Sequence, residues 1–366
     1  MAQMKTHPDS TQKVTGDPKS AIENPQSAQG CLLAAIQTLQ LVTGLLGQFW
    51  LLTRWAQRPG TDTFVLLSGI PWIAASALLV SGLDMCLPAI LNQGPAARNS
   101  AQPAAQGSER QSRLIAQITG FTVFLSLLAA LLSGAAIALW ATRLGMPARH
   151  ALLMGAALGA QLLPFGLSTL WHGYLTARNR VVWARLPLLA GSIATALGTL
   201  LARGAPAVVL PAITFGATLT TMLTTWAFVK AEARELPGLR QVFAAALAPW
   251  EPQILRLLAN LVAAGIAAAL VHVETLLLRA SVIPLDAGSV TALSLAQRGW
   301  DALMSLVIAA GSMPFYPEWS TGFGFVMTPF FKVLRRSWAL TLAIAALVAG
   351  ALRLFSPLAL GAVTPL

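Results

Sequence analysis

Nine stretches of mostly apolar residues follow one another along this chain. They lie near 31–53, 63–92, 113–142, 149–176, 183–202, 206–229, 252–282, 288–313 and 336–356. A helix crosses a bilayer with about 20 such residues. Lipid offers no hydrogen bonds to a backbone, so each segment must satisfy its own polar groups and be helical. The expected fold is all-α: a polytopic membrane helix bundle of about nine transmembrane helices. Spans five and six are separated only by Arg203-Gly204-Ala205, which predicts a tight turn.

Composition agrees. Charged residues make up 10% of the 366 and hydrophobic residues 56%. Ordinary soluble domains carry roughly 25% charge, and disordered chains carry more charge and less apolar bulk. Both classes are excluded. The net charge is +11. The basic residues fall between the spans, where they act as orientation signals and anionic-lipid contacts rather than nucleic-acid contacts. The N-terminal tail and even-numbered loops hold 15 Lys and Arg, against 5 in the odd-numbered loops. This bias predicts a cytoplasmic N-terminus in an inner-membrane protein. Cys31 and Cys86 have neither disulfide-framework nor zinc spacing and read as small apolar residues.

The expected organisation has four parts. Residues 1–30 form a disordered cytosolic tail, and 31–230 a first lobe of six helices. Residues 231–251 form a cytoplasmic linker, and 252–366 a partial second lobe of three helices. The longest internal loops, 94–112, 230–251 and 314–335, are too short for a soluble domain. The first is rich in Ala, Gln, Gly, Ser and Pro and reads as a flexible linker. No Gly-rich phosphate loop ending in Lys-Ser/Thr is present, so nucleotide hydrolysis on this chain is not expected.

Ionisable groups at bilayer depth are costly and point to function. Span seven carries His272, Glu274 and Arg279, and span eight carries Arg298 and Asp301. The short connector Pro284-Leu285-Asp286-Ala287 predicts antiparallel packing, with Glu274 and Arg298 at similar depth. Two readings stay open for Glu274, Arg298 and Asp301: an ion cluster locking two helices, or an ionised patch lining a water-filled cavity. Arg279, near the end of its span, is expected to snorkel outward. Asp62 opens the second span after Gly60-Thr61, and helix capping is expected of it. Asp84, His172 and Tyr174 read as interfacial. No metal-ligand spacing or catalytic constellation stands out, so neither metal, cofactor nor enzyme activity is expected.

Several short motifs share an order. Thr61-Asp62-Thr63-Phe64 precedes Ile70-Pro71. Gly44-Leu45-Leu46-Gly47 lies upstream, and Gly173-Tyr174-Leu175-Thr176-Ala177-Arg178-Asn179 closes span four. Val273-Glu274 comes before Gly288-Ser289-Val290-Thr291-Ala292-Leu293, Ala296-Gln297-Arg298 and Met313-Pro314-Phe315-Tyr316-Pro317. Together they resemble the lipid II flippases of the MurJ or MviN type. These belong to the multidrug/oligosaccharidyl-lipid/polysaccharide (MOP) exporter superfamily.

The resemblance implies a transporter that flips an undecaprenyl-linked saccharide for envelope polysaccharide synthesis, driven by membrane potential or a cation. Arg298 would be a cavity arginine for the acidic lipid head, and Glu274, Asp301 and Asp62 would respond to ions or protons. Implied partners are the lipid-linked saccharide, membrane lipids and polysaccharide-assembly proteins. Two departures matter. Gly44, Trp50 and Ala75-Ser76 stand where the family has arginines, so a saccharide other than lipid II is expected. The chain also holds a first lobe and about half of a second. The alternative reading is a non-transporting scaffold in polysaccharide assembly.

Overall fold

A computed structural model describes residues 25–78, 104–178, 180–232, 240, 242, 244 and 252–312. Ten helical segments carry it: α1 (Pro25–Trp55), α2 (Thr61–Leu67), α3 (Ile70–Ala77), α4 (Ala104–Arg143), α5 (Ala148–Ala160), α6 (Leu162–Ala177), α7 (Val181–Leu201), α8 (Pro206–Glu232), α9 (Pro252–Ser281) and α10 (Ser289–Ser312). They correspond to the first eight expected spans. The ninth span, Asp84, Cys86, the side chain of Cys31 and the Met313–Pro317 motif lie outside the described residues.

Among the described residues, five helical stretches are long and apolar enough to cross a membrane, α5 and α6 together forming one of them. Leu131 and Leu201, 72% and 69% exposed, typify their outward faces. Side chains this apolar remain outside only where lipid replaces water. The chain is a multi-pass membrane protein with an all-helical bundle.

Several boundaries differ from expectation. The first helix starts at Pro25, so the end of the expected tail is helical. The second half of the expected 94–112 linker is also helical, because α4 begins at Ala104. Its run from Ala104 to Arg113 contains only one Gly and no Pro, so nothing in it stops a helix growing back from the apolar core.

Spans two and four are interrupted rather than continuous, at Ser68-Gly69 and at Gln161. A proline follows each interruption closely: Pro71 and Pro164 sit in the first turn of α3 and α6. There a missing N–H costs nothing, whereas one turn earlier it would break a helical bond.

Helices α4 and α5, and α7 and α8, cross at small residues. Gly134 of α4 faces Gly155 of α5, and a Cβ on Gly155 would strike the Gly134 carbonyl. A Cβ on Gly159 would come within 2.5 Å of the Ala130 carbonyl. Backbones this close gain dispersion contacts that larger side chains would prevent. Gly191 and Gly198 of α7 likewise seat Thr221 and Ile213 of α8. The turn at 202–205 is as tight as expected, with Gly204 at φ +124°.

One end of the bundle gathers the turns between α1 and α2, α4 and α5, α7 and α8, and α9 and α10. Leu51, Trp55, Phe64, Met154, Leu210, Leu276 and Val290 form a single apolar cluster there. A second cluster, with Leu114, Ile118, Tyr174, Leu175 and Val229, fills the other end of the first lobe.

Candidate functional site

The polar contacts between α2, α9 and α10 gather at the turn-rich end. The turn before α2 is fixed first. Gly60 adopts φ +88°, and the fully buried Thr61 donates its hydroxyl to the Trp55 carbonyl at 2.7 Å. This places Asp62 in the first turn of α2, where a carboxylate suits the helix dipole. Yet no side chain caps α2. The capping role expected of Asp62 is real, but the helix it caps is another one.

Asp62 Oδ2 accepts the Gly288 backbone N–H at 2.7 Å. Its Oδ1 accepts the Thr291 N–H at 3.1 Å and the Thr291 hydroxyl at 2.6 Å. Gly288 precedes the first residue of α10, so Asp62 supplies the side-chain acceptors that a cap residue on α10 itself would offer. Hydrogen bonds to a carboxylate are roughly twice as strong as neutral ones. Gly288 is required twice over. Its φ is +95°, and a Cβ would lie 3.2 Å from the Ala56 Cβ.

A second bond crosses the same seam. In an unbroken helix the Val65 carbonyl would accept from Gly69. At the interruption Gly69 N–H turns to the Leu66 carbonyl at 3.4 Å, and Val65 is released. It accepts the Ser68 hydroxyl at 2.8 Å and Arg279 Nη1 at 3.1 Å. Arg279 Nε also donates to Gln297 Oε1 at 3.1 Å. Arg279 therefore does not snorkel outward. It turns inward and ties α9 to both α2 and α10.

The expected grouping of Glu274 with Arg298 and Asp301 is not built. Among the described residues no ion pair joins these three. Helical phase is the reason. Glu274 shares the exposed face of α9 with Leu270, Leu277 and Leu278. Arg279 lies five positions on, about 140° around the helix at 100° per residue, and shares the packed face with Leu276. Arg279, Arg298 and Asp301 are instead within electrostatic range of one another, and His272 feels Arg279. Arg298 is exposed. It makes no hydrogen bond to another described residue. Asp301 is exposed too.

His172 and Tyr174 are not interfacial anchors. Tyr174 is buried in the second apolar cluster. His172 is half-buried, with Nε2 3.3 Å from the Thr225 hydroxyl. Their run begins an α6 turn whose inward face is apolar, so the ring packs instead of floating at the surface. Among the described residues, no group of His, Cys, Asp and Glu is placed to hold a metal ion.

No family model matches the chain, and no curated protein matches it. Among solved structures it is similar to an inward-facing conformation of a multidrug resistance MATE family transporter of the MOP superfamily. The TM-score is 0.55 at 16% identity, covering 90% of this chain and 74% of that one. The likeness is one of fold. It does not single out the lipid II branch.

Proposed function

We propose that this chain is a membrane transporter of the MOP type, and that its substrate is an undecaprenyl-linked saccharide moved across a bacterial inner membrane. The observation that carries the reading is the clasp at the turn-rich end. A first-lobe carboxylate, Asp62, completes the start of α10 in the second lobe through three hydrogen bonds. Alternating access needs two lobes joined at one end by contacts that can part. A few charged hydrogen bonds around a helix end fit that need better than a glycine-packed seam.

The finer substrate reading rests on Arg298. It is accessible, has Asp301 on the same helix face at i+3, and has Arg279 within electrostatic range. Two guanidinium groups within electrostatic range of each other suit a phosphate-bearing lipid head, since arginine matches phosphate oxygens with paired donors. Arg279 thus adds a second cation where the family resemblance offered one.

The test is complementation. Residues 1–366 are expressed in a cell lacking its own polysaccharide flippase, beside Arg298→Ala. Restored surface polysaccharide that is lost in Arg298→Ala, at equal protein level, is expected. No restoration by well-folded parent protein would sink the transporter reading and favour a scaffold in polysaccharide assembly.

A further inference from the structure

The end of the first lobe opposite the clasp carries a basic and aromatic collar that the transport reading does not use. It is built where α6 ends, α7 starts and α8 ends. Arg178 lies 5.5 Å over the Tyr174 ring, Arg180 5.5 Å over Trp183, and the Lys230 ammonium 5.0 Å over Trp226. Arg180 Nε also donates to Glu232 Oε2 at 3.1 Å, which ties the start of α7 to the end of α8. The Trp183 and Phe228 rings pack at 5.5 Å beneath. Arg178, Arg180, Arg185 and Lys230 are all exposed. Among the described residues, these four cations and the carboxylate of Glu232 give the collar a net charge of +3.

We propose that this collar is a binding surface for the phosphate headgroups of anionic phospholipids. Three features select lipid over a soluble polyanion. First, Arg178, Arg180 and Lys230 rest on aromatic faces, which hold them in place while their remaining N–H groups can meet phosphate. Second, Trp226 is 41% exposed, and Leu223, nearly one turn nearer the bilayer centre, is 50% exposed. An amphipathic indole above a lipid-facing leucine marks the headgroup level. Third, the arginines that stack on an indole at the other end lack this access. Arg54 and Arg58 lie over Trp55, but Trp55 is fully buried and its indole N–H donates to the Thr199 carbonyl. A lipid cannot reach that ring.

The full chain, purified in a neutral detergent, is titrated with short-chain phosphatidylglycerol, phosphatidylcholine or inorganic phosphate. Bound lipid is counted by native mass spectrometry. Phosphatidylglycerol is expected to bind in preference to phosphatidylcholine, with inorganic phosphate a poor competitor. Combining Arg178→Gln, Arg180→Gln and Lys230→Gln is expected to weaken phosphatidylglycerol binding on the order of a hundred-fold, from three surface charges lost. Glu232→Gln removes the opposing carboxylate and is expected to tighten binding about five-fold, so the test does not depend on the triple variant folding. Arg54→Gln with Arg58→Gln is expected to leave binding unchanged. Equal binding of phosphatidylcholine would overturn the proposal. So would inorganic phosphate competing as well as lipid, unchanged binding by Glu232→Gln, or equal loss from the Arg54 and Arg58 pair.

Discussion

Two seams in this molecule are built on opposite plans. Between α4 and α5, Gly134, Gly155 and Gly159 bring backbones into contact with no polar group involved. Between the lobes, Asp62 and Arg279 reach across to a helix end and a released carbonyl. The first seam has no alternative arrangement: moving either helix empties close-packed space or creates a clash. The second sets a few directional bonds, whose partners water can also satisfy, beside the apolar packing of Leu276 and Val290. A permanent joint and a separable one thus differ in chemistry as well as in position.

The glycine seam should fail hardest. Gly155→Leu places a side chain where even a Cβ collides with the Gly134 carbonyl. Overpacking of this kind costs about 3 kcal/mol or more. Thermal unfolding in detergent should show a large fall, or little folded protein should reach the membrane. A fully stable Gly155→Leu protein would show that the two seams are not different in kind.

Asp62→Ala should act on the other seam alone. Loss of carboxylate hydrogen bonds costs about 2 kcal/mol, and the loss should appear as separation of the lobes rather than unfolding. Spin labels at Gln57→Cys and Ala287→Cys, both exposed positions flanking the clasp, would report it on a background with Cys31 and Cys86 replaced. A longer distance population should grow in Asp62→Ala. An unchanged distance distribution would mean that the clasp does not hold the lobes.

Gly288→Ala should weaken the same contact by about 1 kcal/mol, through its left-handed backbone and the nearby Ala56. Its distance shift should be in the same direction as that of Asp62→Ala and smaller. Arg279→Gln should be the mildest of the set. Glutamine keeps one donor for the Val65 carbonyl or for Gln297, not both, and removes charge beside Arg298 and Asp301. The spin-label distances should change least here, while complementation should drop. Full complementation would leave Arg279 as a tie between helices only.

What the sequence made legible follows length scale. Apolar runs are local, and helices recur in all eight of the first expected spans, although α4 starts at Ala104 rather than 113 and the end of span two lies outside the described residues. The interruptions at Ser68-Gly69 and Gln161 were hidden because apolar content continues through them. The signal was present in Pro71 and Pro164, but Pro187 and Pro211 lie within unbroken helices, so proline alone does not decide. Asp62 was readable as a capping residue because of its place after Gly60-Thr61. Its partner was not, since nothing nearby says which helix end lacks an acceptor. Arg279 was misread for a related reason. Distance from a helix end predicts snorkelling, whereas the carbonyl that draws Arg279 inward exists only because α2 is interrupted.

The Asp62 contact spans 226 residues of sequence to Gly288. Synthesis runs from the N-terminus at about 5–20 residues per second. The carboxylate of Asp62 therefore enters the bilayer some tens of seconds before the backbone it serves has been made. Through that interval a nascent first lobe carries an unmatched charge at its edge, and α10 arrives with an unfinished start. Each is the other's missing piece, so insertion of the eighth span is also the moment at which the first lobe's surface is completed.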